Sequence, residues 1–329
     1  MAVLDRHIGK IILITIILTI VFFIALLALL TWQGVNIAFD TIVRLIGNTV
    51  ENECLNDDLV YRGKATIPNH ILVENYGRRD ERSYYDKKLA TILWDIGGAV
   101  SSSNCKGEIP TPLPFTNQYK ISQIREKPLL EGWSIPSSRK EITHGYLFWN
   151  EDTLCIIFSG TYHPSQWRNN INVDLQNLNI MRNDIPENIK VHSGFIKTYM
   201  NIREAIWSWW NNNGNGIKKI VIAGRSLGGA LATLCAYDFS WISEHVNIVN
   251  YTFASPRVGN NEFCEDFNKK IFRAVRIYNT EDVVIQLPPS VWRKNLYQHV
   301  GTSINCVAFT KNMGTLYDNH IEAYRILPE

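Results

Sequence analysis

Residues 220–230 read Ile220-Val221-Ile222-Ala223-Gly224-Arg225-Ser226-Leu227-Gly228-Gly229-Ala230, and they decide the architecture. An apolar run meets Gly224, Ser226 follows, and a helix-forming stretch from Ala230 to Phe239 takes over directly. A buried strand that turns into a helix around one serine presents that hydroxyl at the carboxyl end of a sheet. Glycines on either side let neighbouring backbone crowd round it. A bare G-x-S-x-G arises easily by chance, but here the strand before and the helix after supply the context the motif demands. A phosphate-binding loop is the competing reading, and no G-K-[ST] follows to support it.

Outward from this point the pattern alternates. Gly145–Asn150 and Thr153–Ser159 predict a hairpin turning at Glu151-Asp152. Helices are expected over Gly194–Trp210, Leu227–Trp241 and Glu262–Lys270, and strands over Ile217–Ala223, Val246–Phe253, Phe272–Tyr278 and Ser303–Thr310. Tyr85, Leu89, Ile92, Leu93 and Ile96 recur at helical spacing and open the domain, whereas the Ser- and Pro-rich residues 101–138 read as irregular connection. Alternating strands and helices predict an α/β fold with a mainly parallel sheet flanked by helices.

Composition sets the outer limits. With 329 residues, of which 46% are hydrophobic and 19% charged, the chain can build a large core. A net charge of +2 gives no electrostatic footprint for nucleic acid. Part of the apolar content lies in one run, Ile11 to Leu30, without a charge. At about 1.5 Å per residue it spans a hydrocarbon core of roughly 30 Å. A cleaved signal peptide has a shorter apolar region and a small-residue cleavage site, and a core helix would carry a polar stripe. The run therefore reads as a transmembrane signal-anchor over residues 11–32, with Trp32 at the interface. Arg6 and Lys10 precede it and only Arg44 lies close behind. That asymmetry places residues 1–10 in the cytosol, and a juxtamembrane segment (33–60) and the domain (61–329) on the lumenal or extracellular side.

The six cysteines show no C-x-x-C pair and no metal-ligand spacing, so no zinc is expected. Cys155 and Cys235 sit in apolar runs and read as buried thiols, while Cys54 and Cys105 are the disulfide candidates. Asn250-Tyr251-Thr252 matches a glycosylation pattern but falls in an expected buried strand. Trp207 and Trp210 share a helix face that reads as core.

A serine at such a turn needs a histidine to take its proton and a carboxylate to orient that histidine, in the chain order Ser, Asp or Glu, His. His245, His299 and His320 follow Ser226. Asp238 is carried off along the helix, which leaves Asp282, with Glu281 as its competitor, in the loop after the strand ending at Tyr278.

Several separated blocks resemble the class 3 lipases, the fungal-type triacylglycerol lipase family with the α/β-hydrolase fold. Phe158-Ser159-Gly160-Thr161 is similar to the oxyanion segment F-R-G-[TS], with Ser159 in place of the usual arginine. Trp167 and Asn170 resemble the W-x-x-[DN] that follows, and Val191–Phe195 resembles V-H-x-G-F. Gly224–Ala232 resembles G-H-S-L-G-G-A-L-A, with Arg225 where histidine is common, and Thr252–Asn260 resembles T-F-G-x-P-R-V-G-N. Asp282 stands in a D-x-V-x-x-L-P-P setting, and Tyr297–Gly301 and Asp318–Tyr324 look like the last two blocks. The resemblance implies Ser226, Asp282 and His320 as the triad and the backbone of Leu227 and Thr161 as the oxyanion hole. His299 and His192 become structural, and Tyr162 to Leu178 becomes a lid. It implies hydrolysis of lipid esters with no cofactor, on a triacylglycerol, diacylglycerol or phospholipid sn-1 ester. A hydrolase-like module that binds lipid or protein without catalysis is the alternative from another class. Oligomeric state is left open.

Overall fold

The computed structural model describes residues 85–106, 120–125, 143–160, 174–242, 245–292, 295–306, 320, 322–325 and 327, all within one compact unit. The elements in chain order begin with helix α1 (Lys87–Lys106) and strands β1 (Lys120–Arg125), β2 (Thr143–Trp149), β3 (Thr153–Phe158), β4 (Leu175–Asn177) and β5 (Lys190–His192). Then come α2 (Ser193–Asn213), β6 (Lys219–Arg225), α3 (Leu227–Phe239), β7 (Asn247–Phe253), α4 (Asn261–Lys270) and β8 (Ala274–Tyr278). Short strands β9 (Val291–Trp292), β10 (Asn295–Leu296) and β11 (Thr302–Asn305) follow, with a single turn of 3₁₀ helix at Glu322–Arg325.

Among the described residues the main sheet has seven strands in the order β1-β2-β3-β6-β7-β8-β11. The first two pairings are antiparallel and the remaining four parallel. The expected α/β architecture with a mainly parallel sheet is thus present. Parallel neighbours need a crossover, and α3 and α4 provide those from β6 to β7 and from β7 to β8. Between its charged ends, Lys219 and Arg225, the central strand β6 is apolar because both faces are covered. Ile220 and Ile222 pack with α2, α3 and α4, whereas Val221 and Ala223 pack with α1 and the Glu322–Arg325 turn.

The hairpin forms between β2 and β3, where Asn150 Oδ1 accepts the Asp152 and Thr153 N–H groups at 3.2 and 2.9 Å. Helix α1 starts after Asp86, whose carboxylate caps the Leu89 N–H at 2.9 Å. The reading of 101–138 as irregular is corrected at two places: α1 continues to Lys106, and β1 forms the sheet edge. That strand escaped the alternation test because its two isoleucines serve opposite faces, Ile121 the α1 side and Ile124 the other. The expected strand Ser303–Thr310 is corrected to Thr302–Asn305 over the described residues, and other element ends shift by up to three residues. The tryptophan reading is corrected as well. The inward stripe of α2 is Phe195, Tyr199, Ile202, Ile206 and Trp209, so Trp209 is the buried indole. Trp207 and Trp210 are half-buried against Phe239.

Cys155 and Cys235 are buried free thiols, and Asn250 is buried with its amide donating to the Ile222 and Ala232 carbonyls. No helix of the described residues is long and apolar enough to cross a membrane. The expected anchor at 11–32, the segment 33–60, the Cys54–Cys105 pairing, Trp167, Asn170 and Thr161 lie outside what is described.

Asp238 is carried away from Ser226 as its position in α3 requires, and it ties α2 to α3. Its buried carboxylate accepts from Tyr199 Oη (2.8 Å), Trp207 Nε1 (2.6 Å) and Arg203 Nε and Nη2 (2.8 and 3.0 Å). Replacing Asp238 by Ala strands a cation and two neutral donors at once. Unfolding in urea is expected to show a loss of about 3–5 kcal/mol, the range for breaking a buried ion pair on one side. A loss below about 1 kcal/mol would mean that water relieves these donors.

Candidate active site

Ser226 is the single residue between the end of β6 and the start of α3. One residue cannot reverse the chain in ordinary backbone space, and Ser226 sits at φ 55° and ψ −125°. For a side-chain-bearing residue that conformation costs about 1–3 kcal/mol and persists only where surroundings impose it. They do so here. The Ser226 N–H donates to the Phe253 carbonyl at the end of β7 (2.9 Å), and the Ser226 carbonyl accepts from Gly229 (2.9 Å). A Cβ on Gly224 would collide with the Gly228 backbone, and one on Gly228 with the Ser159 and Phe158 carbonyls. The two glycines of the motif are therefore required by contact, one with the helix and one with the end of β3.

Asp282 and His320 are brought together directly: His320 Nδ1 lies 2.9 Å from Asp282 Oδ2, and both are buried. With its Nδ1 proton held by a carboxylate, the imidazole keeps Nε2 as an acceptor. Asp282 Oδ1 accepts the Val284 N–H (2.9 Å), which fixes the carboxylate plane. Glu281, the competing carboxylate, is exposed.

Tyr324 is a member of this group that the sequence reading quoted without a role. Its hydroxyl donates to Asp282 Oδ2 (2.8 Å) and accepts the Asn279 N–H (3.0 Å). Burial and the Asp282 charge hold the phenol well above its ordinary value, so it stays a donor. Trp94 of α1 stacks on Tyr324 with centroids 5.5 Å apart, and its edge meets Phe253. The helical periodicity of α1 was legible, but nothing in it singled out this indole.

Leu227 opens α3, where a backbone N–H has no carbonyl of the preceding turn to bond. Gly160, the last described residue before Thr161, packs on the elbow: a Cβ there would stand 3.7 Å from Ser226 Cβ. The segment expected to carry the second oxyanion donor thus arrives beside the serine.

The other histidines do different work. His192 Nδ1 caps α2 by accepting the Gly194 and Phe195 N–H groups (3.1 and 3.3 Å). The His192 N–H donates to Val258, joining the Val191–Phe195 block to the Thr252–Asn260 block. His299 lies against the Ile285 carbonyl (2.9 Å), not against Asp282. His144 is buried, its carbonyl accepting the Ser159 N–H (3.0 Å), and His245 is exposed. Among the described residues no group of three metal-ligating side chains is assembled.

The family profile described as Lipase (class 3) matches residues 155–292. Over that stretch the chain is similar to the class 3 lipase family. A phospholipase A1 of Oryza sativa subsp. indica is 26% identical over 183 residues, 46% of this chain and 42% of that protein. A lipase of Rhizomucor miehei is 28% identical over 150 residues, 44% of this chain and 39% of that protein. A solved triacylglycerol lipase, whose catalytic centre is a serine protease triad, superposes with a TM-score of 0.51 at 20% identity. It covers 74% of this chain and 94% of that one, a likeness of fold. The chain spans less than half the length of the curated relatives it matches.

His299 gives a prediction about acid stability. Burial, and then the Arg276 and Arg257 charges, push its pKa down to about 3 from 6.5. The unfolded chain takes up the proton first as pH falls, so stability is lost from about pH 6.5 downward until pH approaches 3. His299→Gln is expected to flatten the fall of the urea midpoint over that window; an unchanged slope would count against a buried neutral imidazole.

Proposed function

We propose that this chain is a serine hydrolase that cleaves carboxylic ester bonds of lipids through an acyl-enzyme. The observation that carries the reading is the buried Asp282–His320 pair at the same carboxyl edge of the sheet as the strained Ser226 turn. Serine alone is a poor nucleophile, and a binding module has no need of an oriented imidazole beside it.

In the proposed sequence Ser226 Oγ attacks the ester carbonyl while His320 Nε2 takes its proton. Asp282 holds the imidazole and stabilises it once charged. The oxyanion is met by the Leu227 N–H and, by resemblance, by the Thr161 N–H, whose hydroxyl adds a third donor. His320 returns the proton to the leaving alcohol, and water then cleaves the acyl-serine by the same route in reverse. Relatives named as a phospholipase A1 and a lipase support an acyl ester of a glycerolipid as the substrate. The apolar run Ile11–Leu30 supports a companion reading. In it a signal-anchor, with Arg6 and Lys10 cytosolic, holds the domain beside a membrane on the lumenal or extracellular side.

Hydrolysis of a short-chain fatty acyl ester by the full chain tests the chemistry. Ser226→Ala is expected to lower kcat by at least about 10⁴-fold at unchanged thermal stability. Wild-type protein that is folded yet neither hydrolyses the ester nor reacts with a fluorophosphonate would support the binding-module reading instead. The anchor is tested apart from this, by protease treatment of sealed vesicles. The domain should be protected, and its complete digestion from the cytosolic side would overturn that orientation.

A further inference from the structure

Two departures from the family pattern, Ser159 and Arg225, turn out to be neighbours. The parallel pairing of β3 with β6 sets Phe158 opposite Gly224, so the next residues on each strand, Ser159 and Arg225, stand side by side. They also share a sheet face. Ile157 and Ala223, two positions earlier, both pack on the α1 side, and strand side chains alternate. The family resemblance has arginine at the first position and histidine at the second; this chain has serine and arginine. Arg225 thus brings a guanidinium to the junction of the oxyanion segment and the nucleophile turn.

The surroundings fit the exchange on both sides. The small Ser159 is buried, its hydroxyl donating to the His144 carbonyl at 3.2 Å, and leaves room beside it. The Arg225 guanidinium stands 5.4 Å over the Trp94 ring, a pairing that favours a planar delocalised cation. Gly160 lies against it: a Cβ on that glycine would be 3.7 Å from Arg225 Nε and 3.4 Å from the Arg225 carbonyl. Arg225 Nε is buried and, among the described residues, has no acceptor. A buried N–H left unmatched beside Gly160 needs an account, since native structures rarely leave one without a partner.

We infer that Arg225, seated on Trp94, is the positioning residue of the oxyanion segment at Gly160. It acts through the backbone of Gly160, not on the ester itself. Trp94 comes from α1, outside the stretch matched by the family profile, so this helix completes the site. The inference rests on the proposed reading of Ser226 as nucleophile.

The test is an exchange of side chains in the full chain, with hydrolysis of a short-chain acyl ester as readout. Arg225→His should lower kcat about tenfold while KM changes less than twofold, a fraction of the 10²–10³-fold lost with a whole oxyanion donor. Adding Ser159→Arg in that background should restore most of the loss, whereas Ser159→Arg alone, placing two cations side by side, should lower kcat. Trp94→Leu, which removes the ring under the guanidinium, should lower kcat more than Trp94→Phe, which keeps one. If Arg225→His does not fold, Arg225→Lys serves in its place, keeping the charge but not the planar fork, and the same selective fall in kcat is expected. Wild-type kcat in the Arg225 variants, or losses that simply add in the double variant, would overturn the inference. An active wild type with those outcomes removes only this proposal; a folded wild type without esterase activity removes the proposed function along with it.

Discussion

The one-residue turn at Ser226 is the constraint on which the rest of the structure depends. Its positive φ is unfavourable by itself, so everything touching it must be closer and firmer than usual packing. The helix after it is pressed onto β3 through Gly228, and the strand before it onto the helix through Gly224. The end of β7 supplies the carbonyl that holds the serine N–H. That strand pays a related toll: Ala254, directly beyond it, also has positive φ (51°), where the family pattern has glycine. The elbow is therefore imposed by three strand ends together, not by the motif alone.

Loops beyond the sheet are tied to one another as well. The isolated bridges Val191–Gly259 and Gly259–Gln298 stitch together segments far apart in sequence. These segments lie in the V-H-x-G-F-like, P-R-V-G-N-like and Tyr297–Gly301 blocks. A Cβ on Gly259 would press into the Phe263 ring and the Lys190 carbonyl, so the glycine is what lets all three meet. The blocks that carry the family resemblance are in this sense contacts, and their order along the chain reflects which loops must touch.

This explains what was legible in the sequence and what was not. Residues 143–158 and 193–278 read well because burial on both faces of a parallel sheet writes long apolar runs, and helices between them write a 3.6-residue stripe, whereas the three-residue strands β4 and β5 are too short to leave a pattern. Ser226 stood out by its glycines; the loop after β8 offered Asp282 and Glu281 together, and the family resemblance chose between them. The edge strand β1 was missed because a six-residue edge with one isoleucine to each face carries no period. Tyr324 and Trp94 were missed for a different reason. Their importance lies in a hydrogen bond across 42 residues, Tyr324 to Asp282, and a ring stack across more than 200, Trp94 on Tyr324, and no local pattern encodes such meetings.

The contrast between two buried aspartates shows how the fold separates structure from chemistry. Asp238 receives four hydrogen bonds, two of them from the Arg203 guanidinium, so its charge is matched within the resting protein. Asp282 is equally buried, but its donors are a backbone N–H, a phenol held un-ionised and an imidazole. Neutral donors satisfy its lone pairs without cancelling its charge. Those donors hold the carboxylate in place, and through it the His320 imidazole is held in one orientation, as the proposed role of a base requires. An arginine at Asp282, standing as Arg203 does at Asp238, would take lone pairs that here hold the imidazole and the phenol. Arg225 is held instead on the Trp94 ring, which stacks on Tyr324, so among the described residues the Asp282 lone pairs stay with the imidazole, the phenol and a backbone N–H.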